Sequence, residues 1–233
     1  MSDGPDMLVS TVVMPERGVF TVRVDDALAR SGAVHPGSRG RFIVALDYGE
    51  DAGEAVATDL YDPAVHGSRI PGFRLLRALT EEDGRVIEEN GRLAATLCNT
   101  FLSVAKEAAP DLRISGSRLS FGRTRLFIRY VSERGRPDFS EAQNRIRRQF
   151  GVEVNLRAMG PRDLVAENGG IGVCGRVCCC NSWQRRYPAN IAPPHRDSLP
   201  TLVNGMCGRF KCCLAFERAK CEDNGRTPSA DGV

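Results

Sequence analysis

The sequence predicts an α+β protein: a small amino-terminal β domain, then a helix–strand–strand–helix–strand layer, then a cysteine-rich metal-binding segment. Three observations predict it. Short β-branched runs punctuated by glycine and proline fill residues 8–59. Apolar residues at helical spacing begin after Thr80 and give way to alternating runs. One cysteine-bearing phrase occurs twice towards the carboxy terminus.

Residues 9–13, 18–24 and 41–46 are β-branched or partly alternating, and the turn at 36–40 presents the third run. Such pieces suit a small barrel or an open sheet. Residues 62–72, with two prolines and two glycines, read as a linker. Thr80 then offers a hydroxyl cap, and Glu81, Glu82 and Asp83 place acids at the positive end of a helix dipole. Leu93, Leu97, Phe101, Val104 and Ala108 form a core-facing stripe, with Pro110 ending the helix and Gly84 and Gly91 weakening its first turns. Cys98 lies beside the stripe and reads as a small buried hydrophobe.

Residues 111–121 and 124–131 read as strands around Gly122-Arg123. In the second, Leu126, Ile128 and Tyr130 alternate with Phe127, Arg129 and Val131, so one face is wholly apolar. Asp138 or Ser140 can cap a second helix through Phe150, with Ala142, Ile146 and Phe150 on one side. Residues 151–157 alternate as a last strand, which places the cysteines at the edge or end of a sheet. The expected organisation is therefore a β-rich domain and linker at 1–72 and an α+β domain at 73–168. The duplicated, metal-binding cysteine motif follows at 169–221, and a polar tail at 222–233.

At 233 residues and 42% hydrophobic content, the chain has the size and composition of a globular protein with one large or two small cores. No apolar run approaches a membrane span, and the amino terminus lacks the basic start and apolar stretch of a secretory signal. A cytoplasmic location is expected, where clustered thiols mean metal or redox chemistry more often than disulfides. The net charge of +3 is too small to prove a nucleic-acid partner. Of the 32 basic residues, only Lys106, Lys211 and Lys220 are lysine. Codon bias is the plainer explanation; contact with RNA or phosphate through forked guanidinium groups is the sharper one.

The chemistry lies in the repeat. Gly172-Val173-Cys174-Gly175-Arg176 returns as Gly205-Met206-Cys207-Gly208-Arg209, and Cys179-Cys180 returns as Cys212-Cys213 at the same offset. Thiolates from chain held in tight turns suit metals of soft or intermediate character. Cys174 and Cys207 sit in Cys-Gly-Arg turns, where glycine lets the backbone fold close to sulfur. Adjacent cysteines cannot both face one centre from an extended strand, so the arrangement suits a cluster or two neighbouring sites better than one ion. Arg176 and Arg209 would offset the charge of a multi-thiolate centre, and the N–H groups of residues 169–172 could bond to sulfur. The spacing supports a metal without naming it.

These residues, Gly169-Gly170-Ile171-Gly172 with Cys174-Gly175-Arg176 and Cys179-Cys180, then Gly205 to Glu217 with Cys207, Cys212 and Cys213, closely resemble the bacterial YaaT/RicT family. The likeness extends upstream through Arg157-Ala158-Met159-Gly160-Pro161-Arg162-Asp163 and the α+β run, over about two-thirds of the chain, and more loosely into the β segment. The family carries a carboxy-terminal domain shared with a yeast suppressor of polymerase mutations. The resemblance implies a non-catalytic regulatory subunit that binds an iron–sulfur cluster, expected as 4Fe–4S, within a protein complex linked to ribonuclease Y and RNA processing. Cys174, Cys179, Cys180, Cys207, Cys212 and Cys213 are the expected metal ligands, with Arg176 and Arg209 beside the cofactor. Cys178 stands where the family has an apolar residue and is taken as an extra thiol. The proline-rich segment at 183–204 is shorter than the family implies, and Cys221 lies outside the repeat.

Other residues could carry chemistry. His195 could complete a Cys₃His zinc site, although a histidine in a proline-rich loop is more often solvated; His35 and His66 sit in turns. Trp183 and Tyr187 flank Arg185-Arg186, a mixture able to stack an RNA base, with core packing of Trp183 the preferred reading. Glu217 and Arg218 read as a surface pair. No orienting group or oxyanion-type turn accompanies a Cys–His pair, so an enzyme is not expected. The alternative to the iron–sulfur subunit is a structural-zinc module that binds RNA directly through the amino-terminal domain and arginines; a redox enzyme is more distant.

Overall fold

In the computed structural model the described residues are 7–15, 18–66, 70–133, 137–182 and 204–213. The chain divides into two compact units, residues 1–158 and 159–233. The first holds a barrel and an α+β layer; the second holds the cysteine turns. The fold is mixed α+β, as the sequence predicts.

Five strands, β1 (Leu8–Met14), β2 (Gly18–Val24), β3 (Gly40–Leu46), β4 (Gly49–Leu60) and β5 (Arg74–Ala78), close into a barrel in the order β1-β2-β5-β3-β4. Val12, Met14, Val22, Val24, Phe42, Val44, Ala55 and Leu75 fill it. Burying each large aliphatic chain contributes about 1.5–3 kcal/mol. A Cβ on Gly53 would come 2.7 Å from Val12 Cγ1 and closer still to Met14 Sδ, so only glycine lets β4 cross β1 here. Helix α1 (Asp26–Arg30) starts on Asp25, whose carboxylate accepts from the Ala27 N–H, and α2 (Pro63–His66) lies within the expected linker. The short helices, β4 and β5 carry little sequence signal: β4 is rich in acids and glycine, and β5 buries only Leu75. Barrel closure overrides their weak propensity.

The layer follows as α3 (Glu81–Ala108), β6 (Arg113–Leu119), β7 (Arg125–Val131), α4 (Ser140–Phe150) and β8 (Glu153–Ala158). Thr80 and Asp83 form a reciprocal capping box at the start of α3. Leu97, Phe101 and Val104 enter the core as expected, but Ala105 takes the place given to Ala108, which is exposed. β6 pairs antiparallel with β7, and β7 parallel with β8, in the order β6-β7-β8. Leu126, Ile128 and Tyr130 share a core with the α3 stripe and with Ala142 and Ile146 of α4; Phe150 is 38% exposed and lies outside that core. Cys98 is buried, and burial pushes its thiol up.

Barrel and layer are clamped by Asp51, which is 1% exposed. Its carboxylate accepts both guanidinium arms of Arg118 at 2.9 and 2.8 Å, the Tyr48 hydroxyl at 2.8 Å and the Phe121 N–H at 3.1 Å. A buried charge is tolerable only when its lone pairs are satisfied in this way. No helix among the described residues is long and apolar enough to cross a membrane.

Candidate metal centre

The second unit begins with α5 (Pro161–Asn168), a short helix with proline in its first turn and Asp163 accepting from the Gly160 N–H at 2.9 Å. Gly169, at φ +77°, ends it and turns the chain into the first cysteine motif.

The two motifs fold into the same turn. The Gly172 N–H donates to the Arg176 carbonyl at 2.8 Å, and the Gly205 N–H donates to the Arg209 carbonyl at 2.8 Å. Inside each loop Gly175 donates to Gly172 at 2.9 Å, and Gly208 to Gly205 at 3.0 Å. Gly175 and Gly208 adopt φ of +75° and +73°, the left-handed conformation that favours glycine. Single antiparallel bridges, Ile171 to Val177 and Asn204 to Phe210, close the two bases. A Cβ on Gly172 would lie 3.5 Å from Cys174 Sγ, and one on Gly205 4.0 Å from Cys207 Sγ. Both are ordinary van der Waals distances, so each leading sulfur packs beside the glycine that opens its turn.

Behind the first turn, the Cys178 N–H donates to the Gly170 carbonyl at 2.9 Å, and the Cys178 carbonyl accepts from Asn181 and Ser182. Asn181 ties this loop to α5 by donating to the Ala166 carbonyl at 2.8 Å. Cys178 and Cys180 are buried, Cys179, Cys207 and Cys212 are half-buried, and Cys174 and Cys213 are exposed. All of them are free thiols. The turns lie against each other: Cys178 Sγ sits 3.8 Å from Met206 Sδ. A Cβ on Gly170 would meet Met206 Sδ at 2.7 Å. Burial pushes the Cys178 thiol up, and Cys180, Cys179, Cys207 and Cys174 add to the effect. Burial also raises Cys212, with Arg162 opposing it and Cys179, Cys180 and Cys207 reinforcing it. The thiols of both turns therefore share one electrostatic neighbourhood.

Arg209 and Arg176 are both exposed, and Arg209 extends towards the start of α5, where its Nη2 would lie 3.6 Å from a Cβ on Gly160. The expectation that the N–H groups of residues 169–172 bond to sulfur is corrected at two of its four positions. The Gly169 and Gly172 N–H groups are committed to the Val165 and Arg176 carbonyls, because helix end and turn closure both need them, and neither points at sulfur. Among the described residues no three Cys, His, Asp or Glu side chains close around one point. The donors fit a thiophilic centre in kind, all reduced, duplicated and neighbouring; binding would have to draw them together. Met206 and Arg162 are parts of the site that the sequence does not single out. Met206 occupies the variable position of the repeat, where an apolar residue in both copies is the available signal. Trp183, Tyr187, His195, Glu217 and Cys221 lie outside the described residues.

The fold and this site define a class of protein: a barrel and an α+β layer carrying a separate unit built on two copies of one Cys-Gly-Arg turn. No protein-family model matches the chain, and no solved structure matches it. It is 30% identical over 161 residues to the stage 0 sporulation protein YaaT of Bacillus subtilis (strain 168), a match covering 67% of this chain and 58% of that protein. The chain belongs to the YaaT family. It matches less than two thirds of the length of that relative.

Proposed function

We propose that this chain is a non-catalytic, cytoplasmic regulatory subunit. It carries an iron–sulfur cluster on its paired cysteine turns and acts in a protein complex that influences RNA processing by a ribonuclease. The observation that carries the reading is the duplicated turn, each copy bearing free thiols, with the two copies in contact through Cys178 and Met206. Cys174, Cys179, Cys207 and Cys212 are the principal ligands in this reading, with Cys180 and Cys213 next. Arg176 and Arg209 balance the negative charge of the thiolates. A bound cluster would supply an oxygen- and redox-sensitive link between the turns, so that its presence sets how firmly they are held together.

A protein partner is supported by the apolar side chains at the turns. Ile171, Val173, Val177 and Met206 are all more than half exposed. Apolar groups gathered beside a metal motif suit the core of a docking interface. The relative bears the name of a sporulation protein, which agrees with a regulatory role.

Anaerobic purification with iron, acid-labile sulfide and zinc analysis tests the reading. A brown, oxygen-labile protein with iron and sulfide is expected. Colourless protein with stoichiometric zinc would replace the cluster by a structural zinc site.

A further inference from the structure

The two copies of the repeat, residues 172–180 and 205–213, differ at three positions. Val173 gives way to Met206, Val177 to Phe210 and Cys178 to Lys211. Two of these differences set sulfur in one copy where the other has none, and those two sulfurs meet. Cys178 Sγ lies 3.8 Å from Met206 Sδ. Val173 and Lys211 carry no sulfur, so duplication alone does not generate this pair.

Gly170 makes room for it. Its φ is +145°, and a Cβ there would meet Met206 Sδ at 2.7 Å and Cε at 3.0 Å. The same Cβ would stand 3.8 Å from Cys178 Sγ. The niche that a side chain would fill holds the two sulfurs instead. Cys178 is buried, while Met206 is more than half exposed. Filling space does not call for methionine at so open a position; the thioether is what an aliphatic residue would lack there.

The pair has the bite of a chelate. At ~2.3 Å, the bond length that zinc makes to thiolate, two sulfurs 3.8 Å apart subtend about 110° at an ion they share. They already stand at this separation, whereas the expected cluster ligands would have to be drawn together. An angle of this size leaves a further position on the ion, which a small thiol delivering the metal can occupy. Thiolate with thioether is the donor set of a soft metal, and Cu(I) is the soft ion it suits. Charge gives the same answer. One thiolate and one neutral thioether cancel a single positive charge, whereas a divalent ion would leave net charge on a partly buried site.

We propose that Cys178 and Met206 form a second metal site, one that binds Cu(I) and staples the two turns together. The Cys178 thiol proton passes to solvent as the ion binds, the Met206 sulfur donates a lone pair, and no electron is transferred. The site uses none of the expected cluster ligands, so it can fail without the iron–sulfur reading, and that reading without it.

The test is X-ray absorption at the copper edge on the intact chain, labelled with selenomethionine and kept free of oxygen. One equivalent of Cu(I) is supplied as its glutathione complex. A copper–selenium bond is expected beside copper–sulfur bonds, and it should vanish in Met206→Leu. In competition with bicinchoninate, Cys178→Ala and Met206→Leu should each hold Cu(I) at least tenfold less tightly than the wild type. Val173→Leu, at the matching position of the first copy, should change neither measurement. Iron and acid-labile sulfide in the same samples report on the cluster separately. Copper bound to sulfur without a selenium neighbour would overturn the proposal. So would a copper–selenium bond that survives in Met206→Leu, or an affinity unchanged in both variants.

Discussion

Cys178 and Met206 join the two halves of the repeat: a buried thiol in the first motif meets the thioether of the second at 3.8 Å. Neither residue is among the expected ligands. Their contact nevertheless sets the leading turns side by side, which gives the duplicated sequence its chemical meaning.

Replacing Cys178 by alanine should leave the metal content of freshly loaded protein unchanged, since Cys178 is not an expected ligand, but should speed metal release, because it removes one sulfur of the contact between the turns. Met206→Ser should speed metal loss, because it removes the thioether that bridges the turns while leaving every expected ligand in place. Metal release to a chelator under anaerobic conditions measures both variants. Equal rates for wild type and Met206→Ser would show that Met206 does not hold the turns together.

Arg118→Ala should destabilise the first unit by about 3–5 kcal/mol, as breaking one side of a buried pair strands the other charge. Asp51 would keep Tyr48 and the Phe121 N–H but lose both guanidinium bonds. Denaturant unfolding gives the value. A destabilisation below about 1 kcal/mol, the range of a surface pair, would mean that Asp51 finds water or another partner.

The Arg77 guanidinium, with help from the Thr80 N–H, holds the Asp83 carboxyl well below the usual carboxylate range. A depressed folded-state value stabilises the fold above the unfolded value near 3.8 and is lost as pH falls through the folded one. Wild-type stability should therefore decline from about pH 4 downwards, and Asp83→Asn should flatten that decline. Thr80→Ala should remove about 1 kcal/mol at neutral pH by opening the cap. Thermal unfolding of the three proteins between acid and neutral pH checks both outcomes; an unaltered acid profile in Asp83→Asn would contradict the first.

Much of this architecture is legible in the sequence because local chemistry and tertiary structure agree. Thr80, Asp83 and the Leu97–Phe101–Val104 stripe specify α3, and the alternation through Leu126, Ile128 and Tyr130 specifies the covered face of β7. Elements completed by distant partners are less legible. β5 is a strand only because β2 and β3 accept it on either side, and its one buried residue, Leu75, leaves almost no pattern. The two turns are readable from Gly175 and Gly208, but the meeting of Cys178 with Met206 is not, since no sequence rule pairs a buried thiol with a variable position.

Loading of the centre should protect the amides that close the turns. The Gly172 and Gly205 N–H groups each donate across a loop that carries one leading cysteine. Metal binding is also folding energy at such sites. Hydrogen exchange should slow at both glycines in metal-loaded protein relative to metal-free protein, with little change in α3. Equal exchange in the two states would leave the metal without an organising role.

The central claim is that the two turns serve one centre. Its most direct test is the iron and acid-labile sulfide content of anaerobically purified Cys174→Ser and Cys207→Ser proteins beside the wild type. Loss of most of the iron and sulfide in each single variant is the predicted result; full retention in both variants would contradict it.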